Sequence, residues 1–532
     1  MKPISNPQSV GTKTREAAGK EYTARLRHAT YYCDLLKASD ELYLEGGENI
    51  ITSLHWFDTE WGQIQAGKSW GNKNSQELSN AYSNVGVHVL DLRLTPREMI
   101  AWLETALVAA RHLEYKSMEG AHLDNLGSVY FRLGDAHQAI EYHQQALGIN
   151  HKLGDQRGEA NCLNNLGNAY AELGEVHKAI EFYEKQLIIM REIDDRIGES
   201  AALTNLGITY YNFGDARKAI EFYERALTID RKIGDRRGES INLGNLGNAY
   251  AELGEARNAI KLHKQALAIA REIGDRGSEG SELGNLGNAY RALGDVRKAI
   301  EFYDEQLAIV REIGERRREG NAIGNIGFAF ATLGELQAAI DFYERALEIA
   351  RECRDRQSTG NILGNMGDAY FSLGDNRKAI NFHEQALDIA REIGDRRREG
   401  ASLGNLGNAY FSLGSTSDAI SFYQQSLAIA REIGDRRDES VALGNLGNVY
   451  FRLGDNRKAI QFYEEDLEIA REIEDRHGES VVIGNLGFTF YQNGEKEKGI
   501  RMMNQALEIF NEIESPNAEW ARNVLRAWGV DS

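Results

Sequence analysis

The chain has 532 residues, enough for several ordinary domains or for one long repeat array. Its formal net charge of −19 argues against a dedicated binder of nucleic acid or of anionic membranes, which usually carry the opposite balance. Three scattered cysteines, Cys33, Cys162 and Cys353, give no disulfide framework or metal knuckle, and with no apolar leader or membrane span a soluble cytoplasmic protein is expected.

Residues 1–17 read as a disordered tail and 18–74 as a helical cap with amphipathic helices over 18–39 and 46–70. Inside the second lies "GQIQAGKS", Gly62 to Ser69, which satisfies the G-x-x-x-x-G-K-[ST] pattern of phosphate-binding loops. Such a loop needs a buried strand before it and a helix after it, so that backbone N–H groups converge on phosphate. Here Ile50, Leu54, Phe57, Trp61 and Ile64 keep a helical period straight through the motif, and no strand ending in Asp follows to hold magnesium. The helical reading wins, with Lys68 a solvated side chain near a helix end, and nucleotide binding through Gly62–Ser69 is the lesser alternative. Residues 75–119 read as a degenerate hairpin: 76–93 first, then a helix with Thr95 as N-cap and Pro96 at its first position.

From 120 to 513 the sequence repeats itself. One asparagine returns every 40 residues, at Asn125, Asn165, Asn205, Asn245, Asn285, Asn325, Asn365, Asn405, Asn445 and Asn485, with no insertion or deletion between copies. In the unit 240–279, Leu243, Leu246 and Tyr250 form one apolar stripe, and Ala259, Ile260, Leu267 and Ile273 form a second. Gly254 suits the left-handed turn between two helices, and Asp275 is placed to cap the next one. Each unit is therefore a helical hairpin that must stack on neighbours to bury its faces. A mid-helix glycine (Gly247, and Gly127 to Gly487 at the same step) costs roughly 1 kcal/mol relative to alanine, so a close helix–helix approach must offset it. The chain has only four prolines, Pro3, Pro7, Pro96 and Pro516, and none interrupts the array. After it, 514–532 reads as a capping helix started by Ser515 and Pro516 and carrying Trp520, Val524, Leu525 and Trp528. The tenth unit is already eroded, with Gly499 for the usual Ala and Asn493 for the usual Leu.

These units resemble tetratricopeptide repeats, whose pattern maps onto Leu243, Leu246, Gly247, Tyr250, Ala259, His263 and Ala266. The family's proline after the second helix is missing and that helix runs on, as in the long units of kinesin light chains and Pins-like adaptors. The resemblance implies an all-α fold, a right-handed α-α superhelix (a tetratricopeptide-repeat solenoid) with helical N- and C-terminal caps. The segment "YYCDLLKASDELYLEGGENIITSLHWFDTEW" resembles the helical linker before the repeats of bacterial STAND-type signalling ATPases. Beginning at Met1, the chain is expected to depart from those proteins in lacking their nucleotide-binding and winged-helix domains.

No catalytic constellation is expected. "GASLG" at 400–404 matches a nucleophile elbow, but Ser402 occupies a helical slot that other units fill with Ala322 and Ile362. The histidines lack metal-ligand spacing, and His143, His263 and His383 stand where other units have Tyr183, Tyr223 and Tyr303. Carboxylates read as solvated, many beside arginines. No metal and no cofactor is expected, and the chain reads as a non-enzymatic scaffold.

In the resembled family the first helices line a groove that takes segments of partner proteins. The residues expected there are the asparagine column, then Asn168, Asn248, Asn288, Asn408 and Asn448 (Asp368 and Ser128 being variants), and Phe371, Phe411 and Phe451. Beside the first column stand Gly244, Gly284, Gly324, Gly364, Gly404, Gly444 and Gly484. Asparagine both donates and accepts, so a ladder of them can pair with a ligand's main chain, and glycines leave room for it. The same ladder can instead bond to adjacent helices and stiffen the stack, and both readings stay open. The lysine and arginine of the family's carboxylate clamp are absent. Pins-like adaptors take acidic segments, which the pairs Arg236 and Arg237, Arg396 and Arg397, and Arg436 and Arg437 would favour at the rim, unless they only serve helix dipoles and solubility. The leading expectation is an adaptor for partner polypeptides, with no nucleic acid or membrane partner and a monomer favoured. The alternative is a sensor subunit of a STAND-like signalling system.

Overall fold

The computed structural model describes the backbone of residues 7–530 and the side chains from residue 19 onward, Glu48 aside. Among the described residues every regular element is a helix, 26 in all, and none is long and apolar enough to cross a membrane. The helices fall into two compact units, Met1–Ile269 and Ala270–Ser532.

The first unit opens on α1 (Pro7–Glu45) and α2 (Glu48–Asn74), turned on Gly46 and Gly47, whose φ of 78° and 60° favour glycine. The tail expected over 1–17 is helical from Pro7, where Glu16, Ala17 and Ala18 are good helix formers, and its first six residues lie outside the described ones. The two helices pair antiparallel: Ser39 and Ser53 each donate a hydroxyl to the other's carbonyl at 2.9 and 2.6 Å, and His28 meets Gln63 at 2.9 Å. The stretch 76–93 is not one helix but two, α3 (Gln76–Asn84) and α4 (Val87–Arg93). The break has a tertiary cause. A Cβ on Gly86 would lie 2.5 Å from Leu36, and the Asp40 carboxylate of α1 accepts the backbone N–H groups of His88 and Val89 at 2.9 Å, fixing the start of α4. Next, α5 (Pro96–His112) carries the expected Thr95 cap as a full capping box with Glu98.

The rest is hairpins, the first being Lys116–Arg132 with Ala136–Leu153. Within a hairpin the turn is a glycine in the left-handed region followed by a capping acid: Gly134 has φ 81°, and Asp135 accepts the Gln138 N–H at 3.0 Å. Between hairpins the same region is held by Gly154, Gly234 or Gly394, but also by Glu114, Asp194, Arg354, Glu474 and Glu514 at φ 52–56°. In the core, the mid-helix glycine of every first helix but the last, Gly487, lies under a ring of the second helix. A Cβ on Gly207, Gly367 or Gly407 would come within 2.5 Å of Tyr223, His383 or Tyr423. Beside it a stacked aromatic pair recurs, such as Tyr210 on Phe222 and Tyr410 on Phe422, both at 5.3 Å.

A glutamate column that reads as solvated is in fact buried. Glu239, 8% exposed, accepts from Arg231 at 2.8 Å and Arg236 at 2.5 Å, and Glu279, 5% exposed, is held by Arg271 and Arg276. Burial alone would raise the Glu279 carboxyl, but the hydrogen bonds from Arg271 and Arg276 outweigh it and hold it below its ordinary range. In the second unit a further ladder crosses from hairpin to hairpin: Arg396 to Glu432 and Arg436 to Glu472, with Arg397 to Asp435 at 3.2 Å. Thus Arg236, Arg396, Arg397 and Arg436 each face a carboxylate, while the Arg397 side chain stays 77% exposed. The eroded final hairpin closes differently. Gly499 brings its backbone against Gly487, a Cβ there lying 2.6 Å from the Gly487 carbonyl oxygen. Beyond it runs the last helix, Asn517–Ala527, whose start has the Ser515 hydroxyl accepting the Asn517 N–H at 3.3 Å.

Candidate binding groove

The phosphate-loop pattern disappears into α2. Residues Gly62 to Ser69 are uninterrupted helix, and Gly67 is small because the Tyr82 hydroxyl crosses there to donate to the Ala29 carbonyl at 2.7 Å. Lys68, expected in solvent, is 6% exposed, and its ammonium sits 3.6 Å from the centroid of the Trp102 ring. The reason is tertiary: α5 covers that face of α2. Burial pulls the Lys68 amine down to about 7. Ser69 is exposed, so the two residues that would hold a nucleotide's phosphate and magnesium point apart.

The asparagine columns divide by role. In the second column, Asn168, Asn288, Asn408 and Asn448 accept the hydroxyls of Tyr183, Tyr303, Tyr423 and Tyr463 at 2.6–2.7 Å, locking each first helix to its second. Asn248 faces a column position held by His263 instead of a tyrosine. In the first column, Asn165 donates to Asp124 at 3.3 Å, Asn205 to Asn164 at 2.8 Å and Asn405 to Asp368 at 3.0 Å, all across to the preceding hairpin. The Nδ2 of Asn245 is buried without a partner. Asn125, Asn285, Asn325, Asn365, Asn445 and Asn485 are half-buried and make no side-chain hydrogen bond. Of the phenylalanines, Phe371 is 37% exposed, Phe411 lies under the Arg452 guanidinium at 4.7 Å, and Phe451 meets Phe488 edge-on at 5.8 Å.

In the second unit, three first helices, Arg316–Thr332, Arg356–Ser372 and Arg396–Ser412, bring Asn325, Asn365 and Asn405 around one cavity of about 720 Å³. Gly324, Gly360, Gly364, Phe328 and His383 also line it, with Arg291, Arg317 and Arg398 among its charged residues. Arg317 is tied to Asp355 at 2.5 Å and Arg398 to Asp395 at 2.8 Å, whereas Arg291 has no carboxylate partner and lies over Phe328 at 4.8 Å. Ser402 lines the same wall from mid-helix, 8% exposed, and no hydrogen bond joins it to His383. Sequence reading finds the cavity's amides, Gly324, Gly364 and Asp368 but misses the part played by Gly360, Phe328, His383 and Arg291. A signal was present: the repeat pattern fails three times in one hairpin, at Thr359 where every other unit has Glu, at Asp368 in an asparagine column, and at His383 in a tyrosine column.

The family model described as tetratricopeptide repeat matches residues 117–192, 158–232, 199–272, 278–352, 358–432 and 438–526. No curated protein matches. Among solved structures, BtubC from P. vanneervenii is 23% identical, with 41% of this chain and 92% of that one covered and a TM-score of 0.38. A STAND protein with a tetratricopeptide-repeat sensor from Pyrococcus horikoshii is 15% identical over 77% of this chain and 65% of that one, with a TM-score of 0.49. A Rap protein complexed with Competence and Sporulation Factor is 17% identical over 68% and 99%, with a TM-score of 0.46.

Proposed function

The chain belongs to the tetratricopeptide-repeat family, and on that premise we propose that it is a non-enzymatic, cytoplasmic adaptor holding a polypeptide segment of a partner protein against its first helices. The observation that carries this reading is the cavity of about 720 Å³ where Asn325 and Asn365 stand without side-chain partners beside Gly324 and Gly364. A main chain laid across them finds donors and acceptors at a regular step whatever its sequence, and the glycines let it come close. Arg291, with no carboxylate of its own, favours a segment carrying an acidic residue near one end.

The test is affinity capture from the native cytoplasm with two baits, wild type and the triple variant Asn325→Leu, Asn365→Leu, Asn405→Leu. Partners held by the wild type are expected to be lost from the variant while both melt at the same temperature. Equal retention by the two baits would overturn the reading.

A further inference from the structure

A glycine inside a helix weakens it. At Gly367 and Gly407 the reason is the ring packed above. Gly324 and Gly364, in the same helical faces, have no such reason. A Cβ on Gly364 would meet nothing within 4 Å, and one on Gly324 only the Ala346 methyl at 3.8 Å. Their column continues to Gly484, where the space is taken. Trp520 from the last helix brings its ring 2.9 Å from where a Gly484 Cβ would lie. Counting back in steps of 40 residues, the position of Trp520 is held by Gly360 opposite Gly324 and by Gly400 opposite Gly364. A Cβ on Gly360 or Gly400 would meet Ile389 at 3.1 Å or Ile429 at 3.3 Å, so the space that the half-exposed Trp520 ring takes at Gly484 is open farther up the unit on the side of Gly324 and Gly364.

A second feature of this cavity points to what would fill it. His383 lines it, is 1% exposed, and its Nδ1 has no hydrogen-bond partner. The other ring nitrogen faces Asp368 at 3.6 Å. That leaves Nδ1 as the lone-pair acceptor of a neutral ring, and burial, which pushes this imidazole down to about 4, keeps it neutral. The tyrosines of the same column are satisfied: Tyr303 and Tyr423 donate to Asn288 and Asn408 at 2.7 Å. His383 is a buried acceptor that lacks a donor.

Resting on the polypeptide-adaptor reading, we propose that this cavity seats a tryptophan side chain of the bound segment, its indole lying between Gly324, Gly360 and Gly364 and its N–H donated to Nδ1 of His383. Gly324 and Gly364 leave room for a ring, and the unpaired nitrogen asks for a donor on it, which phenylalanine lacks. Trp520 on Gly484 is the intramolecular counterpart.

The test is selection of a random-peptide display library on the full-length chain, followed by affinity measurements on synthetic winners. Winners are expected to share one tryptophan. Its replacement by phenylalanine weakens binding to the wild type about tenfold or more and leaves binding to His383→Phe unchanged, since the acceptor is then gone. Gly364→Leu fills the seat and abolishes binding, and Gly364→Ala melts no lower than the wild type, showing the helix intact. Tryptophan-bearing winners indifferent to both His383→Phe and Gly364→Leu would overturn the seat. Winners without tryptophan that still need Asn365 would overturn it and leave the adaptor reading standing. No winners, or winners indifferent to every cavity substitution, would overturn both.

Discussion

Glu279 in a repeat hairpin and Lys68 in α2 are both buried ionisable side chains, and their surroundings have little in common. Glu279 is held by two arginines that recur at the same step in unit after unit. Lys68 has an indole face and no counter-charge. The contrast runs through both regions. In the hairpins the same partners recur from unit to unit: a mid-helix glycine under a ring, a second-column asparagine with a tyrosine hydroxyl, a glutamate with an arginine pair. In the helices before them each contact is solved once, as Asp40 capping α4 or Tyr82 crossing Gly67. Periodic packing is robust because one solution is reused. A single solution can leave a charge without a counter-charge, as at Lys68.

The largest effect is expected where the periodic logic is broken outright. Gly367→Ala puts a methyl within 2.5 Å of the His383 ring. A loss of about 3 kcal/mol is expected for the hairpins around it, read as a local rise in hydrogen exchange. An unchanged exchange pattern would mean that the ring does not pack as described.

Lys68→Met tests the other region. The folded amine titrates at about 7 against an ordinary value of 10.5, so between those values the unfolded chain binds more protons. Stability should therefore rise with pH across that window and carry the full cost of the buried charge below it. Lys68→Met is expected to raise the stability of the N-terminal helices by about 2 kcal/mol at pH 6, the cation–π contact offsetting part of the desolvation, and to gain little near pH 10. Melting curves of both proteins at the two pH values check this, and an equal gain at both would contradict it.

Gly364→Ala gives the smallest change and the opposite sign from Gly367→Ala three residues on. With open space around the new methyl, a gain of about 1 kcal/mol is expected, seen as slower hydrogen exchange in the same helix. A loss would show that the crevice is filled by the chain itself.

How much of this was legible in the sequence follows the same division. The hairpins, their left-handed glycine turns and the closeness of the helices at Gly247 could be read because a period of 40 residues shows each position ten times over. The burial of Glu279 was hidden, since a glutamate beside arginines looks the same in solvent as in a clamp. Before residue 116 no position repeats. Nothing local announced that α5 would cover Lys68, or that Asp40 would split 76–93 into two helices. At the cavity, the asparagines could be read but their two duties could not, because a hydroxyl donated by Tyr303 to Asn288 is a fact of helix pairing. The irregular Thr359, Asp368 and His383 were visible as breaks in pattern, but their meaning depends on their meeting in one place.

The central claim is that the first-helix face around Asn365 receives another polypeptide. The most direct measurement places a photo-crosslinking benzoylphenylalanine at Phe328, which lines the cavity and is 39% exposed, and in parallel at exposed Glu348 on a second helix, in the cells that make the protein. A discrete polypeptide adduct from position 328 and none from 348 is the expected result. Adducts from 348 alone, or the same products from both, would contradict it.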